Sequence, residues 1–182
     1  MTVANVYLMQ SDAINPLFDA CRIAVASPNS SLAAQALSCL GHLTRRVSIQ
    51  EPARIRSQAH HILPLLIEKL GDAKERNKTV ALGAILEIYK HVSHDVEKSM
   101  KETGFGSKNP RIRQEAVKWL AQIHAAYPSF SFKSYTPFLM GMLEDSSETV
   151  RETAKEVVVD LFWYICPSRL TLRSFTTDSF MV

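Results

Sequence analysis

A short turn-like pattern recurs along this chain at nearly regular spacing, and an apolar helical stretch follows each copy. The three clear copies align on Ala81, Ala116 and Ala154, which lie 35 and 38 residues apart, and a weaker copy aligns on Ala36, 45 residues before Ala81. Periods of about 35–47 residues with two apolar helical segments each are typical of an α-solenoid, a stack of helical pairs. Such a molecule binds partners with its surface, so the pattern favours binding over catalysis.

Each copy consists of a polar turn and the first residues of a helix. The copies read Gly71-Asp72-Ala73-Lys74-Glu75-Arg76-Asn77-Lys78, Lys108-Asn109-Pro110-Arg111-Ile112-Arg113, Glu144-Asp145-Ser146-Ser147-Glu148-Thr149-Val150-Arg151 and, more weakly, Ser27-Pro28-Asn29-Ser30-Ser31-Leu32. Asn77 occupies a position that is apolar in the next two copies, Ile112 and Val150. We therefore expect Asn77 to have a polar partner or to weaken the packing there.

Apolar residues at helical spacing around these turns predict four helical pairs and an all-α fold. No stretch alternates as a strand bounded by hairpin turns. The pairs are 15–25 with 32–43, 55–70 with 80–92, 93–105 with 110–127, and 132–143 with 147–162. We expect a right-handed HEAT-type solenoid over residues 14–163, with irregular ends at 1–13 and 164–182. The loops within the pairs, 26–31, 70–76, 105–111 and 144–149, are expected along one edge.

Composition limits the alternatives. Apolar residues make up 46% of the chain and charged residues 21%, which is typical of a folded, soluble protein. The net charge of +3 permits an acidic partner without requiring one. Cys21, Cys39 and Cys166 form no CxxC motif, which favours a reducing compartment, and the first two lie on apolar stripes that predict core positions. No signal peptide or membrane span is evident.

The segment 53–163 resembles the TOG-type HEAT domains of the CLASP family, especially the N-terminal domain of its fungal members. The resemblance is carried by residues 63–74, 106–111 and 143–151, with a weaker match over 20–48. Its most specific part is the LGDAK loop followed one repeat later by the SKNPR loop. The family's TOG domains have six helical pairs, and this chain matches the second to fifth. We therefore expect it to correspond to part of such a domain.

The resemblance implies a function as well as a fold. Members of this family are microtubule-associated regulators, and the intra-pair loops of a TOG domain grip tubulin. The chain is thus expected to be a tubulin-binding, microtubule-stabilising module with a role in the mitotic spindle and cell division. The expected locations are the cytoplasm and cytoskeleton, with spindle and nucleus as further sites. The alternative is a generic HEAT-repeat scaffold for another protein or a nucleic acid.

The middle two loops carry the candidate binding residues. If these loops share an edge, Lys74, Arg76, Lys108 and Arg111 form a cationic row for an acidic partner. The resemblance makes that partner tubulin and adds Asn109 of the SKNPR loop. A structural interpretation is also open, because the macrodipole favours a lysine just after a helix end, as we expect for Lys74 and Lys108. Arg76 and Arg111 begin helices, where a cation is disfavoured by about 0.3–1 kcal/mol.

Four further loop residues are assigned to structure. Arg113 and Arg151 occupy the arginine position of the HEAT pattern, and such arginines usually pair with the loop acid of a neighbouring repeat. Asp72 and Asp145 are the loop acids of this chain. We expect all four to stabilise the loops rather than to contact a partner.

No constellation of residues predicts an enzyme, a metal site or a cofactor. His91 and His94 lie one helical turn apart beside Asp95, but no third metal ligand has suitable spacing. His60 and His61 are adjacent and are expected on different faces of a helix, so at most one could join a site. Basic residues do not interleave with aromatic ones, so nucleic-acid binding is not favoured. We expect no small-molecule substrate and no membrane partner.

Overall fold

The computed structural model describes residues 11–165, with side chains for residues 13–161, and this part of the chain is helical without any strand. The α-helices are α1 (Ser11–Val25), α2 (Ser30–Gln50), α3 (Pro52–Lys69), α4 (Glu75–Ser99), α5 (Pro110–Ala126), α6 (Thr136–Leu143) and α7 (Glu148–Ile165). A π-helical turn, Met100–Phe105, extends α4, and a 3₁₀ turn, Phe132–Tyr135, precedes α6. The predicted all-α fold is confirmed.

The helices form two compact units whose boundary lies within α5, between Glu115 and Ala116. In the first unit α1 packs on α2, α2 packs on α3 and α4, and α3 packs along α4. In the second unit α6 packs on α7. These contacts reproduce three of the predicted pairs, α1 with α2, α3 with α4 and α6 with α7.

Helix α4 is longer than the sequence pattern suggests because two predicted helices are continuous. The predicted boundary between residues 80–92 and 93–105 is marked by a kink at Val92, whose backbone is non-helical with φ −143° and ψ 58°. Beyond this kink the chain remains helical to Ser99 and then widens into the π-helical turn. The first helix of the third predicted pair is therefore the second half of a bent helix.

The ends of the helical region differ slightly from the predicted bounds. Helix α1 begins at Ser11, four residues before Asn15, which we expected at its start. The side chain of Asn15 instead accepts hydrogen bonds from Gln58 at 3.2 Å and Arg54 at 3.4 Å, so it joins α1 to α3. Helix α7 continues to Ile165. The rest of the predicted irregular ends, 1–10 and 166–182, lies outside the described residues.

The core of the first unit is built from the apolar stripes of α2, α3 and α4. Its fully buried members include Leu40, Val47, Ile55, Ile62, Leu66, Ile85 and Ile88. Asn77 is also buried, and its amide donates a 2.9 Å hydrogen bond to Oδ2 of Asp72. The expectation that Asn77 would have a polar partner is therefore confirmed. This bond attaches the loop before α4 to the core.

Candidate partner-binding edge

All four predicted loops contain the same hydrogen-bonded turn. In each one, a side-chain oxygen accepts the backbone N–H of the residue two positions later. The pairs are Ser27 with Asn29 (3.2 Å), Asp72 with Lys74 (2.8 Å), Ser107 with Asn109 (3.2 Å) and Asp145 with Ser147 (2.8 Å). Each acceptor lies nine residues before an aligned alanine. This shared offset is the sequence signal that marks Ser27 and Ser107 as turn residues beside the two aspartates.

Three of the loops lie side by side in the first unit. A Cβ on Gly71 would lie 2.6 Å from Cγ1 of Ile112 and 2.8 Å from Nδ2 of Asn109, so loops 70–76 and 105–111 are in close contact. Loops 26–31 and 70–76 together line a cleft of about 200 Å³, to which Ser27 and Lys74 contribute. We call this set of three loops the loop edge. Loop 144–149 belongs to the second unit, and its place on the same edge stays a prediction.

The four predicted cations of the loop edge are exposed. Within the described residues, the side chains of Lys74, Arg76, Lys108 and Arg111 form no ion pair and no side-chain hydrogen bond. Lys78, the next cation along the chain, differs because it is paired with Glu75 and lies 3.8 Å from a carboxylate oxygen of Glu115. The four charges of the row are therefore available to an external partner.

Three of these cations stand at helix N-termini, where their charge is unfavourable. Lys74 is the N-cap residue of α4 and makes no side-chain capping bond, Arg76 is the second residue of that helix, and Arg111 is the second residue of α5. A positive charge in the first turn opposes the helix macrodipole. Helix α3 already ends at Lys69, so Lys74 does not stand just after a helix end. The macrodipole of α3 therefore does not explain Lys74.

Asp72 holds the loop that carries Lys74 and Arg76. Its two carboxylate oxygens accept from the Lys74 backbone N–H at 2.8 Å and from the Asn77 amide at 2.9 Å. Partial burial opposes ionisation of this carboxyl group. The two hydrogen bonds and the charges of Lys69 and Lys74 outweigh burial and lower the pKa of Asp72. The two oxygens of the ionised Asp72 carboxylate thus fix the loop at two points, the Lys74 backbone and the Asn77 side chain.

Arg113 and Arg151 make matching contacts in their own loops. Nη1 of Arg113 donates to the carbonyl oxygens of Ser107 at 2.8 Å and Lys108 at 3.1 Å. Nη1 of Arg151 donates to the corresponding carbonyls of Asp145 at 2.7 Å and Ser146 at 3.1 Å. These bonds go to backbone oxygens, and the predicted pairing of each arginine with the loop acid of a neighbouring repeat stays a prediction. Each arginine holds two consecutive carbonyls and so restrains the shape of its loop.

Asn109 links the cation Arg111 to the hydrogen bonds that shape loop 105–111. Its Oδ1 accepts the backbone N–H of Arg111 at 3.0 Å, while its own N–H donates to Oγ of Ser107 at 3.2 Å. The side chain is exposed and lies beside Gly71 of the preceding loop. Asn109 thus fixes the start of α5 and still presents part of its amide at the loop edge.

Two expectations about other residues were wrong. The rings of His60 and His61 lie with their centroids 3.9 Å apart, so they do not point to different faces of α3. Cys39 is exposed and only Cys21 is buried, so Cys39 is not a core residue. The buried residues of α2 include Leu37, Leu40 and Leu43, and Cys39 is not one of them.

The described residues contain no metal-binding cluster of three or more His, Cys, Asp or Glu side chains. His94 is 92% exposed and lies 3.8 Å from Asp95. Over the same residues, no helix combines the length and the apolar character that crossing a membrane requires.

Comparison with known proteins identifies the relatives of this chain. The model of the family described as CLASP N terminal matches residues 8–171. The chain belongs to the CLASP N-terminal family. It is 36% identical over 147 residues to protein stu-1 of Neurospora crassa, covering 81% of this chain and 13% of that protein. It is 38% identical over 151 residues to protein STU1 of Coccidioides immitis, covering 82% of this chain and 12% of that protein. The sequence resemblance is therefore confirmed.

A solved structure shows the same fold. The N-terminal domain of MAST/Orbit matches with a TM-score of 0.74 at 19% identity, covering 90% of this chain and 73% of that chain. This likeness supports the HEAT-type, TOG-like architecture for the CLASP N-terminal family member described here. The chain spans 12–13% of the length of the two fungal relatives.

Proposed function

We propose that this chain is the tubulin-binding module of a CLASP-type microtubule regulator and that the loop edge makes the contact. The observation that carries the proposal is the row of four exposed cations, none with an ion pair among the described residues. Membership in the CLASP N-terminal family supports tubulin as the acidic partner. The module stabilises microtubules in the cytoplasm and cytoskeleton, and through them contributes to the spindle and to cell division.

The mechanism is non-covalent and depends on loops that are already shaped before binding. Side-chain oxygens of Asp72 and Asn109 and the guanidinium of Arg113 restrain the two cationic loops. Restrained loops lose less conformational entropy when a partner binds, so more of the contact energy appears as affinity. The cations attract an acidic surface during approach and orient it on contact. A tubulin dimer held in this way favours the microtubule over the unpolymerised state.

A fourfold charge reversal tests this proposal. The variant Lys74→Glu, Arg76→Glu, Lys108→Glu and Arg111→Glu should lose affinity for unpolymerised tubulin by about tenfold or more, because each lost contact becomes a repulsion. Size-exclusion chromatography with tubulin and pelleting with microtubules measure the loss. Far-UV circular dichroism should stay unchanged, because exposed charges contribute only about 0–1 kcal/mol each to folding.

Two controls show whether a loss of tubulin affinity comes from the position of the reversed charges, from the change in net charge or from a less stable fold. Reversing four exposed cations outside the loops, Arg45, Arg56, Lys98 and Lys133, changes the net charge by the same amount and should leave tubulin affinity nearly unchanged. Replacing Arg113 or Arg151 by Gln should instead lower stability by about 1–3 kcal/mol, because two loop carbonyls lose their donor. Equal affinity of the loop-edge variant and the parent chain for tubulin would favour the generic scaffold.

A further inference from the structure

Two thiols meet between α1 and α2. Sγ of Cys21 on α1 lies 3.7 Å from Sγ of Cys39 on α2, and the Cys21 thiol donates to the Cys39 sulfur. The two thiols differ in exposure, since Cys21 is buried and Cys39 is exposed. This arrangement pairs a thiol that solvent can reach with a second thiol directly behind it.

The exposed thiol opens into a cleft of the loop edge. Cys39 lines a cavity of about 360 Å³ together with Ser38, Lys74, Arg76 and Asn77. A small oxidant can therefore reach Cys39 from solvent, while Cys21 is buried. Burial, and then the hydrogen bond and charge interaction with Cys39, raise the pKa of Cys21 to about 11. Cys21 is thus protonated at neutral pH and does not react first.

We propose that Cys21 and Cys39 form a redox site in which hydrogen peroxide converts the two thiols to a disulfide that links α1 to α2. In the first step the Cys39 sulfur attacks the peroxide oxygen, the O–O bond breaks, and Cys39 becomes a sulfenic acid while water leaves. In the second step the Cys21 sulfur attacks the Cys39 sulfur, the S–O bond breaks, and the hydroxyl leaves with the Cys21 proton as water. Two electrons pass from the thiols to the peroxide.

The geometry requires only a small movement for the second step. The sulfurs lie 3.7 Å apart and must approach by about 1.7 Å to reach the S–S bond length of about 2.0 Å. The link would join α1 to α2 across the turn at residues 26–29 and remove conformations from the unfolded chain. Thiol reductants reverse the reaction by exchange.

Peroxide titration of the full chain tests the site, with Cys166→Ser introduced so that Cys21 and Cys39 carry the only two thiols. Hydrogen peroxide should remove both remaining thiols together, and mass spectrometry should find a peptide linking Cys21 to Cys39 with two hydrogens lost. Dithiothreitol should restore both thiols. The oxidised chain should also need more urea to unfold than the reduced chain.

Single-cysteine variants show whether the two thiols act as a pair. In Cys21→Ser, the Cys39 sulfenic acid should persist long enough for capture by dimedone, and the urea midpoint should no longer respond to peroxide. Three results would overturn the proposal. They are oxidation of Cys39 to sulfinic acid in the parent with Cys21 still free, a disulfide between two chains, and thiols that survive peroxide sufficient to oxidise free glutathione. The proposal concerns the thiols alone and does not depend on tubulin binding.

Discussion

At the scale of single residues, Lys74 shows a conflict between folding and the proposed function. It occupies the N-cap of α4 with an extended backbone, φ −88° and ψ 117°, which suits a capping residue. Helices favour Ser, Thr, Asp or Asn at this position because their side chains accept a backbone N–H of the first turn. Lysine has no acceptor, and its charge opposes the macrodipole of α4. A residue that costs stability at an exposed position is a candidate for a role in binding.

Replacing Lys74 with Ser should therefore stabilise the chain by about 0.5–1 kcal/mol, since serine can cap α4. Urea unfolding measures the change. The matched control is Lys69→Ser at the C-terminal end of α3, where loss of a favourable charge should slightly destabilise the chain. The same Lys74→Ser chain should bind tubulin more weakly than its parent. A lower urea midpoint for Lys74→Ser would show that the lysine contributes to folding.

Gly71 is required by the close approach of two loops. Its φ is not positive, so backbone freedom is not the reason for glycine here. A Cβ would lie within 3 Å of the side chains of Ile112 and Asn109. Gly71→Ala should thus destabilise the chain by about 1–3 kcal/mol through overpacking. Thermal unfolding tests this against Gly83→Ala, a helical site with open space around the new methyl group, which should stabilise by about 0.5–1 kcal/mol. Equal effects of the two variants would contradict the loop contact.

At the scale of helices, Glu87 connects α4 to α2. Its carboxylate accepts from Oγ of Ser48 on α2 at 2.8 Å and from Nζ of Lys90 at 2.8 Å. Partial burial works against ionisation, but the hydrogen bonds from Lys90 and Ser48 and the charge of Lys90 prevail and lower the pKa of Glu87. The ionised carboxylate is therefore more stable in the folded chain than in the unfolded chain.

This bond predicts a pH dependence. A carboxyl group whose pKa is lower in the folded state stabilises the fold above its unfolded pKa, here about 4.5, and the contribution is lost as the pH falls through the folded pKa. Glu87→Gln should accordingly destabilise the chain at pH 6 and have a smaller effect near pH 3. Urea titrations at both pH values measure this difference. Glu152→Gln, in an exposed pair with Lys155, should show little effect at either pH. A pH-independent effect of Glu87→Gln would refute the linkage.

Much of this architecture could be predicted because helix stripes and turns are local features of the sequence. Regular spacing of apolar residues predicted the helices, and the aligned alanines predicted the repeated turns. Contacts between distant segments could not be predicted in this way. The bond of Asn15 to Gln58, the proximity of Cys21 to Cys39 and the bonding of Arg113 to backbone oxygens depend on which helix or loop lies opposite. A stripe defines the buried face of a helix but not the residues that face it.

At the scale of the whole molecule, local charge matters more than total charge. The net charge is only +3, so the chain as a whole attracts acidic partners weakly. The loop edge concentrates four exposed cations on two adjacent loops. A field of this kind acts over about one Debye length, about 8 Å at physiological ionic strength. Such a field can therefore orient an acidic surface only at short range.

This distribution predicts a specific response to salt. The association rate with tubulin should fall as ionic strength rises, and the fourfold loop-edge reversal should flatten that dependence, since the steering charges are gone. The variant with reversed Arg45, Arg56, Lys98 and Lys133 should retain the slope of the parent chain. Stopped-flow measurements over a range of salt concentrations give both slopes.

Duplex DNA provides the contrast, because a non-specific polyanion binder loses affinity steeply with salt on any duplex. If the parent chain bound DNA as well as tubulin, and salt abolished both interactions in parallel, the loop edge would be a general anion-binding surface. Tubulin binding that persists at a salt concentration where DNA is released would instead show a shaped contact on these loops.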